Sequence, residues 1–173
     1  MKHKLIQHYD IIGHAHELTF SCFRKQPFLR SRVACEYFIE SLDRTRTEKQ
    51  VKLIAFVLMP EHVHLIVYPE EEGAKISSLL SSIKLPVAMK FSQQLKKHEG
   101  APLGRFWQRG GGYDRNIFTK KALKSSINYI HFNPVRRKLV KEPEDWYWSS
   151  AGYYAGLSKF PIKIDEDVLE ALV

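Results

Sequence analysis

The sequence predicts an α+β fold: a ferredoxin-like or RRM-like antiparallel sheet with helices packed on one face, plus a further helix that carries a tyrosine. Three observations predict it. Two apolar, β-branched runs, residues 51–58 and 62–68, are joined by only Met59-Pro60-Glu61, which suits an antiparallel hairpin. Segments with helical periodicity precede and follow that hairpin. The resulting order, β-α-β-β-α-(β)-α, is that of a sheet with helical crossovers.

Each element has its own warrant. Residues 16–23, His-Glu-Leu-Thr-Phe-Ser-Cys-Phe, are rich in β-favouring types and read as the first strand. Residues 32–48 read as a helix with an apolar stripe of Val33, Tyr37, Phe38, Ile39 and Leu42. The hairpin strands follow. Residues 74–98 read as a long helix, interrupted or kinked at Pro86. Residues 99–104, Glu-Gly-Ala-Pro-Leu-Gly, read as a turn, and 106–116 as extended or looped around Gly110-Gly-Gly112. Residues 119–133 read as the last helix, with Thr119 as N-cap. Pro134 disfavours helical geometry at Asn133, so the helix is expected to end there. The aromatics of Trp146-Tyr147-Trp148 and of Tyr153-Tyr154 read most simply as packing residues.

The 173 residues suffice for one domain with a core, read as residues 10–155 followed by an acidic tail over 156–173. A hydrophobic content of 44% with 27% charged residues fits a soluble globular protein. No apolar run approaches the ~20 residues of a membrane span, and no secretory signal is visible. Two cysteines, Cys22 and Cys35, suggest neither a disulfide framework nor a cysteine-rich zinc site. The expected location is the cytoplasm, with the nucleoid. Charge is unevenly spread: residues 80–140 hold 13 Lys and Arg against Glu99 and Asp114 alone, a net of +11, between segments of +1 and −4. Such a block suits a polyanion, although a solvated basic face would look the same.

The chemistry starts at His62-Val63-His64. Alternation along a strand puts the two imidazoles on one face and Val63 on the other. Two neutral imidazoles on a rigid surface make half of a metal site. Alternation also turns Glu61 to the opposite face, which weighs against a zinc hydrolase using it as ligand or base. In the last helix, Leu123, Ile127 and Ile130 define the core stripe, and at ~100° per residue Tyr129 lies roughly 130° from its centre. Asn133 is one turn further on a similar face. Mixed nitrogen and oxygen ligation from His62, His64 and Asn133, with positions left open, suits Mg²⁺ or Mn²⁺ acting on phosphate. A free phenol ionises near pH ~10 and is a weak nucleophile at neutrality, so a metal and nearby basic groups would have to lower its barrier. His131 falls on another face, as a packing or phosphate-contacting residue, and His14 and His16 read as structural.

These residues carry a resemblance. Met59-Pro-Glu-His-Val-His-Leu-Ile-Val67 resembles the His-hydrophobic-His motif of single-tyrosine HUH transposases. Phe106-Trp-Gln-Arg-Gly110, Tyr113-Asp114 and Tyr129-Ile-His-Phe-Asn-Pro-Val-Arg136 resemble their REP-associated branch. Leu139-Val140, Pro143-Glu-Asp-Trp146 and Trp148-Ser-Ser-Ala151 extend the likeness over roughly residues 10–155. The resemblance implies that His62 and His64 bind the metal, that Tyr129 is the nucleophile and that Asn133 is a third polar ligand. It also implies single-stranded DNA with short hairpins as the partner. The stretch Gly110-Gly-Gly-Tyr113 departs from the family pattern.

The expected function is metal-dependent cleavage and rejoining of single-stranded DNA through a 5′-phosphotyrosine at Tyr129. Gln108, Arg109, Arg115, Arg136 and Arg137 are the candidate DNA contacts. The alternative is a non-catalytic single-stranded nucleic-acid-binding module of the same fold. Monomer and homodimer are both open, as is donation of the tyrosine helix within or between chains.

Overall fold

Strand β1 (Ala15–Ser21) is the interior strand on which the site is built, hydrogen-bonded on one side to β3 (His62–Pro69) and on the other to β4 (Tyr113–Ile117). The computed structural model describes residues 10–96, 105–110 and 112–168. Strand β2 (Val51–Met59) completes a four-stranded sheet of order β2-β3-β1-β4, with every pair antiparallel. The turn 99–104 expected from sequence, and the end of the preceding helix at 97–98, lie outside the described residues.

Both faces of the sheet are covered. Leu18 and Phe20 of β1, Leu58 of β2, and Val63, Leu65 and Val67 of β3 form one core with helices α1 (Arg32–Glu48) and α2 (Ile76–Lys96). On the other face, Ile54 and Val57 of β2, Ile66 of β3 and Ile117 of β4 pack with Leu123, Ile127 and Ile130 of α3 (Lys120–His131). A register shift between Leu53 and Ala55 interrupts the strict alternation of β2. The ferredoxin-like sheet with helices on it therefore stands, and the tyrosine-bearing helix lies on the face opposite α1 and α2.

Helix α1 has the bounds read from sequence, and Ser31 caps it by accepting the Ala34 N–H. Its buried stripe is Ala34, Cys35, Phe38, Ile39 and Leu42; Val33, expected in the stripe, is 58% exposed. Five residues from Phe38, Val33 is rotated about 140° away from the core at 100° per residue. Helix α2 runs through Pro86, and two carbonyls beside the proline take outside donors. Ile83 O accepts the Ser41 hydroxyl at 3.0 Å and Lys84 O accepts the Trp107 indole N–H at 2.9 Å. Phe106 and Trp107, in the segment read as extended or looped, are core residues. Trp107 makes an isolated bridge to Cys22 and stacks edge-on against Phe20 and Phe38.

Thr119 caps α3 as expected, accepting the Ala122 N–H at 3.2 Å. The end of the helix departs from expectation. α3 stops at His131, and Asn133 opens a short helix, α4 (Asn133–Arg136), with Pro134 in its first turn. Proline lacks only an N–H that a first turn leaves unpaired, and its fixed φ suits a helix start.

The segment after α4 closes the open edge of β2. Leu58 N–H donates to Trp148 O at 2.8 Å, Trp146 Nε1–H to Leu58 O at 2.9 Å, and the Tyr154 hydroxyl to Ile54 O at 2.9 Å. Covering an edge strand in this way removes a template for aggregation. Asp165 continues the cover, accepting Leu53 N–H at 2.8 Å and Arg46 Nη1–H at 2.6 Å.

Candidate active site

The site lies on the α3 face, at the β3 end where the hairpin turns. Val63 points into the α1–α2 core and is fully buried, while His62 and His64 point together to the other face. Their rings are edge-on with centroids 4.8 Å apart and Nε2 atoms 3.0 Å apart. Thr19, opposite His64 in the β1–β3 register, places its hydroxyl 2.9 Å from His64 Nδ1.

Glu61 corrects an expectation. Alternation puts it on the opposite face, but Pro60 and Glu61 form the turn between β2 and β3, where alternation does not extend. Its carboxylate accepts from His62 Nδ1 at 3.2 Å and from Arg137 Nη1 at 2.8 Å. Burial holds the His62 imidazole below its ordinary pKa, although Glu61 pulls the other way. Burial, then His62 and Arg136, push His64 down to about 3. Both rings are therefore neutral near pH 7, the form that ligates metal.

Helix α3 brings Tyr129 to this face in the same chain, its register set by Leu123, Ile127 and Ile130 against β2 and β3. Tyr129 is 54% exposed, as its off-stripe position predicts. A groove of about 460 Å³ runs between sheet and helix, lined by Thr19, His64, Tyr113, Arg115, Ser126 and Tyr129 among others. Arg136 stacks its guanidinium 4.5 Å above the Tyr129 ring and donates to the Tyr129 carbonyl and, at 3.1 Å, to Asn133 Oδ1. Asn133 in turn presents Nδ2 to His64 Nε2 at 3.2 Å.

This donor set fits a divalent cation. A carboxylate only accepts, so Glu61 holds His62 as the Nδ1–H tautomer with the Nε2 lone pair facing His64. Asn133 Nδ2 donates toward His64 Nε2, which must then also present a lone pair. Two lone pairs 3.0 Å apart repel unless a cation or proton joins them. Two ligands about 2.1 Å from an ion and at right angles stand at just such a separation. Asn133 itself faces His64 through nitrogen, so ligation through Oδ1 requires its amide to turn over and release Arg136. Among the described residues no group of three His, Cys, Asp or Glu could hold a metal.

The other expected contacts divide. Arg136 and Arg137 are at the site. Arg115 lines the groove, donating to Glu17 at 2.7 Å and Ser126 at 2.5 Å. Gln108 sits beyond the end of β1, its backbone N–H on Ser21 O and its side chain accepting from Arg24 N–H at 3.1 Å. Arg109 is exposed beside it. His131 is a packing residue, bonded to the Ser150 hydroxyl at 2.7 Å and pushed down to about 4 by burial. His16 is buried against Asp114 at 2.9 Å, away from the site. Thr19 is not legible as a site residue because it needs the strand register; alternation carried from the strand into the turn assigns Glu61 to the opposite face.

Comparison with known proteins bears on the family and the fold. A curated REP-associated tyrosine transposase of Escherichia coli K12 is 27% identical over 128 residues, 73% of this chain and 70% of that protein. A Haemophilus influenzae protein carrying the same name provisionally is 27% identical over 101 residues, 56% of this chain; the match spans 57% of its own length. The solved structure of a REP-associated tyrosine transposase bound to a REP hairpin has the same fold, with a TM-score of 0.71 over 92% of this chain and 91% of that one, at 21% identity. The family model described as "Transposase IS200 like" matches residues 13–133, from just before β1 through Asn133. The chain belongs to the IS200-like transposase family.

Proposed function

We propose that this transposase cleaves and rejoins single-stranded DNA beside a hairpin, with Tyr129 as nucleophile and a divalent cation at His62 and His64. The observation that carries the reading is the groove that Tyr129 and His64 share, with two neutral imidazoles converging at one end of it.

The Tyr129 hydroxyl oxygen attacks the phosphorus of a phosphodiester, and the bond to the 3′ oxygen breaks. The phenol loses its proton, the departing 3′ oxygen gains one, and the 5′ phosphate stays on Tyr129. A second 3′-hydroxyl reverses the step and joins a new end, with no net change in bond type. Arg136 steadies the phenol ring and sets positive charge beside it. His62 and His64, with Asn133 as third polar ligand, would hold Mg²⁺ or Mn²⁺, which when bound polarises the phosphate.

Gln108, Arg109, Arg115, Arg136 and Arg137 are the proposed DNA contacts, on charge and place. A hairpin partner is supported by the REP hairpin in the similar structure and by the basic stretch 80–140. Such a substrate is met in the cytoplasm, on the nucleoid; no helix among the described residues is long and apolar enough to cross a membrane.

The test is a denaturing gel of the protein with 5′- and 3′-labelled hairpin oligonucleotides, with and without Mn²⁺. The expected result is a metal-dependent covalent adduct carrying the 5′ end at the cut, absent in Tyr129→Phe. An adduct persisting in that variant overturns the nucleophile; shifted DNA with no cleavage under any condition favours a binding module.

A further inference from the structure

We propose that Glu61 is a positioning residue that sets the tautomer of His62 and, through Arg137, ties His62 to the segment following the nucleophile helix. This rests on the metal site proposed above.

The two imidazoles are oriented by different kinds of partner. His64 Nδ1 meets the Thr19 hydroxyl at 2.9 Å, and a hydroxyl donates or accepts equally well, so that contact leaves the His64 tautomer open. His62 Nδ1 meets a carboxylate, which can only accept. Glu61 is thus the group that commits His62 to Nδ1–H and leaves Nε2 as a lone pair toward His64. Its side chain is only 14% exposed, so water screens the contact weakly. Outer partners of this kind orient ligating histidines in metal sites generally.

The same carboxylate oxygen holds Arg137 at 2.8 Å. Arg137 follows α4 directly, and α4 carries Asn133, which reaches His64, and Arg136, which reaches Tyr129. Two adjacent arginines therefore brace the two halves of the site. Arg136 acts on the nucleophile and Arg137 on the histidine pair, from one short helix end. Only Nη1 of Arg137 is spent on Glu61, so the rest of the guanidinium is left to meet phosphate.

The experiment uses the full chain. Two-dimensional ¹H–¹⁵N correlation of the imidazole nitrogens in metal-free protein reads the His62 tautomer, and Mn²⁺ titration followed by electron paramagnetic resonance reads affinity. The expected results are Nδ1–H at His62 in the parent protein, a shift toward Nε2–H in Glu61→Ala, and Mn²⁺ binding weaker by about 10–100-fold. Glu61→Gln, whose amide oxygen still accepts, should keep the tautomer and lose less affinity. Arg137→Ala leaves the turn itself untouched, and should give a mixed tautomer with a several-fold loss. Parent-like spectra and affinity in both Glu61→Ala and Arg137→Ala overturn the proposal and leave the proposed function standing. Absence of Mn²⁺ binding in the parent protein overturns the metal site itself.

Discussion

Asn133 Nδ2 stands 3.2 Å from His64 Nε2, so the helix that follows Tyr129 touches the histidine strand directly. Nucleophile and histidine pair are thereby held in one network within a single chain, running Tyr129–Arg136–Asn133–His64–His62. Most of the expected outcomes below follow from cutting that network at one point.

Removing a histidine should remove the cation. His64→Ala is expected to cost at least the roughly 10–100-fold in affinity typical of disturbing a ligand's outer partners. Chelation of the parent protein should stop adduct formation while the hairpin is still retained on a native gel. Full adduct yield in chelator would rule out the metal requirement.

Tyr129→Phe should separate chemistry from folding. The ring is half exposed and keeps its place under Arg136, so stability should stay within about 0.5 kcal/mol. Adduct should vanish on a denaturing gel, and urea denaturation should match the parent.

Arg136 is expected to matter to rate more than to hairpin affinity, because its bonds go to Tyr129 and Asn133. Arg136→Ala should slow single-turnover adduct formation by about tenfold, the equivalent of ~1.4 kcal/mol. Lysine keeps the charge without the planar fork and should rescue only in part. Equal losses of rate and hairpin affinity would instead make Arg136 chiefly a DNA contact.

Ile127 anchors the nucleophile helix to the sheet and is 5% exposed. Ile127→Ala should destabilise by about 2–5 kcal/mol. Urea unfolding gives the stability, and adduct yield at a denaturant concentration where the variant is still folded shows whether the helix has loosened.

The buried thiols define an alkaline limit. Burial pushes Cys22 and Cys35 from 9.0 up to about 12. The unfolded chain therefore releases those protons first, and their contribution, full below pH 9, is lost as pH rises from 9 toward 12. The expected readout is a urea midpoint that falls over that window, with both thiols slow toward iodoacetamide at pH 8 until the chain unfolds.

Much of this was legible beforehand. Residues 62 and 64 had to share a face once they lay in a strand. The stripe of Leu123, Ile127 and Ile130 left Tyr129 outside the core, as found. What failed was local reasoning at element ends. Pro134 breaks a helix interior but starts one equally well, and only the neighbouring turn decides which. Glu61 escaped the alternation rule because the strand begins at His62. The burial of Trp107 was not legible because its partners, Phe20 and Phe38, are remote in sequence.

The sequence by itself determined the order of elements, the face of each histidine, the exposure of Tyr129 and the basic mid-chain, since periodicity and charge are local properties. Tertiary structure alone decided that Thr19 faces His64, that Arg137 and Glu61 meet, and that the tyrosine helix returns to its own sheet. The first two contacts span 45 and 76 residues, and Asn133, just past the tyrosine helix, meets His64 across 69. Pairings at such separations depend on strand register and on which helix covers which face, both set by burial of the two cores together and not by any one segment.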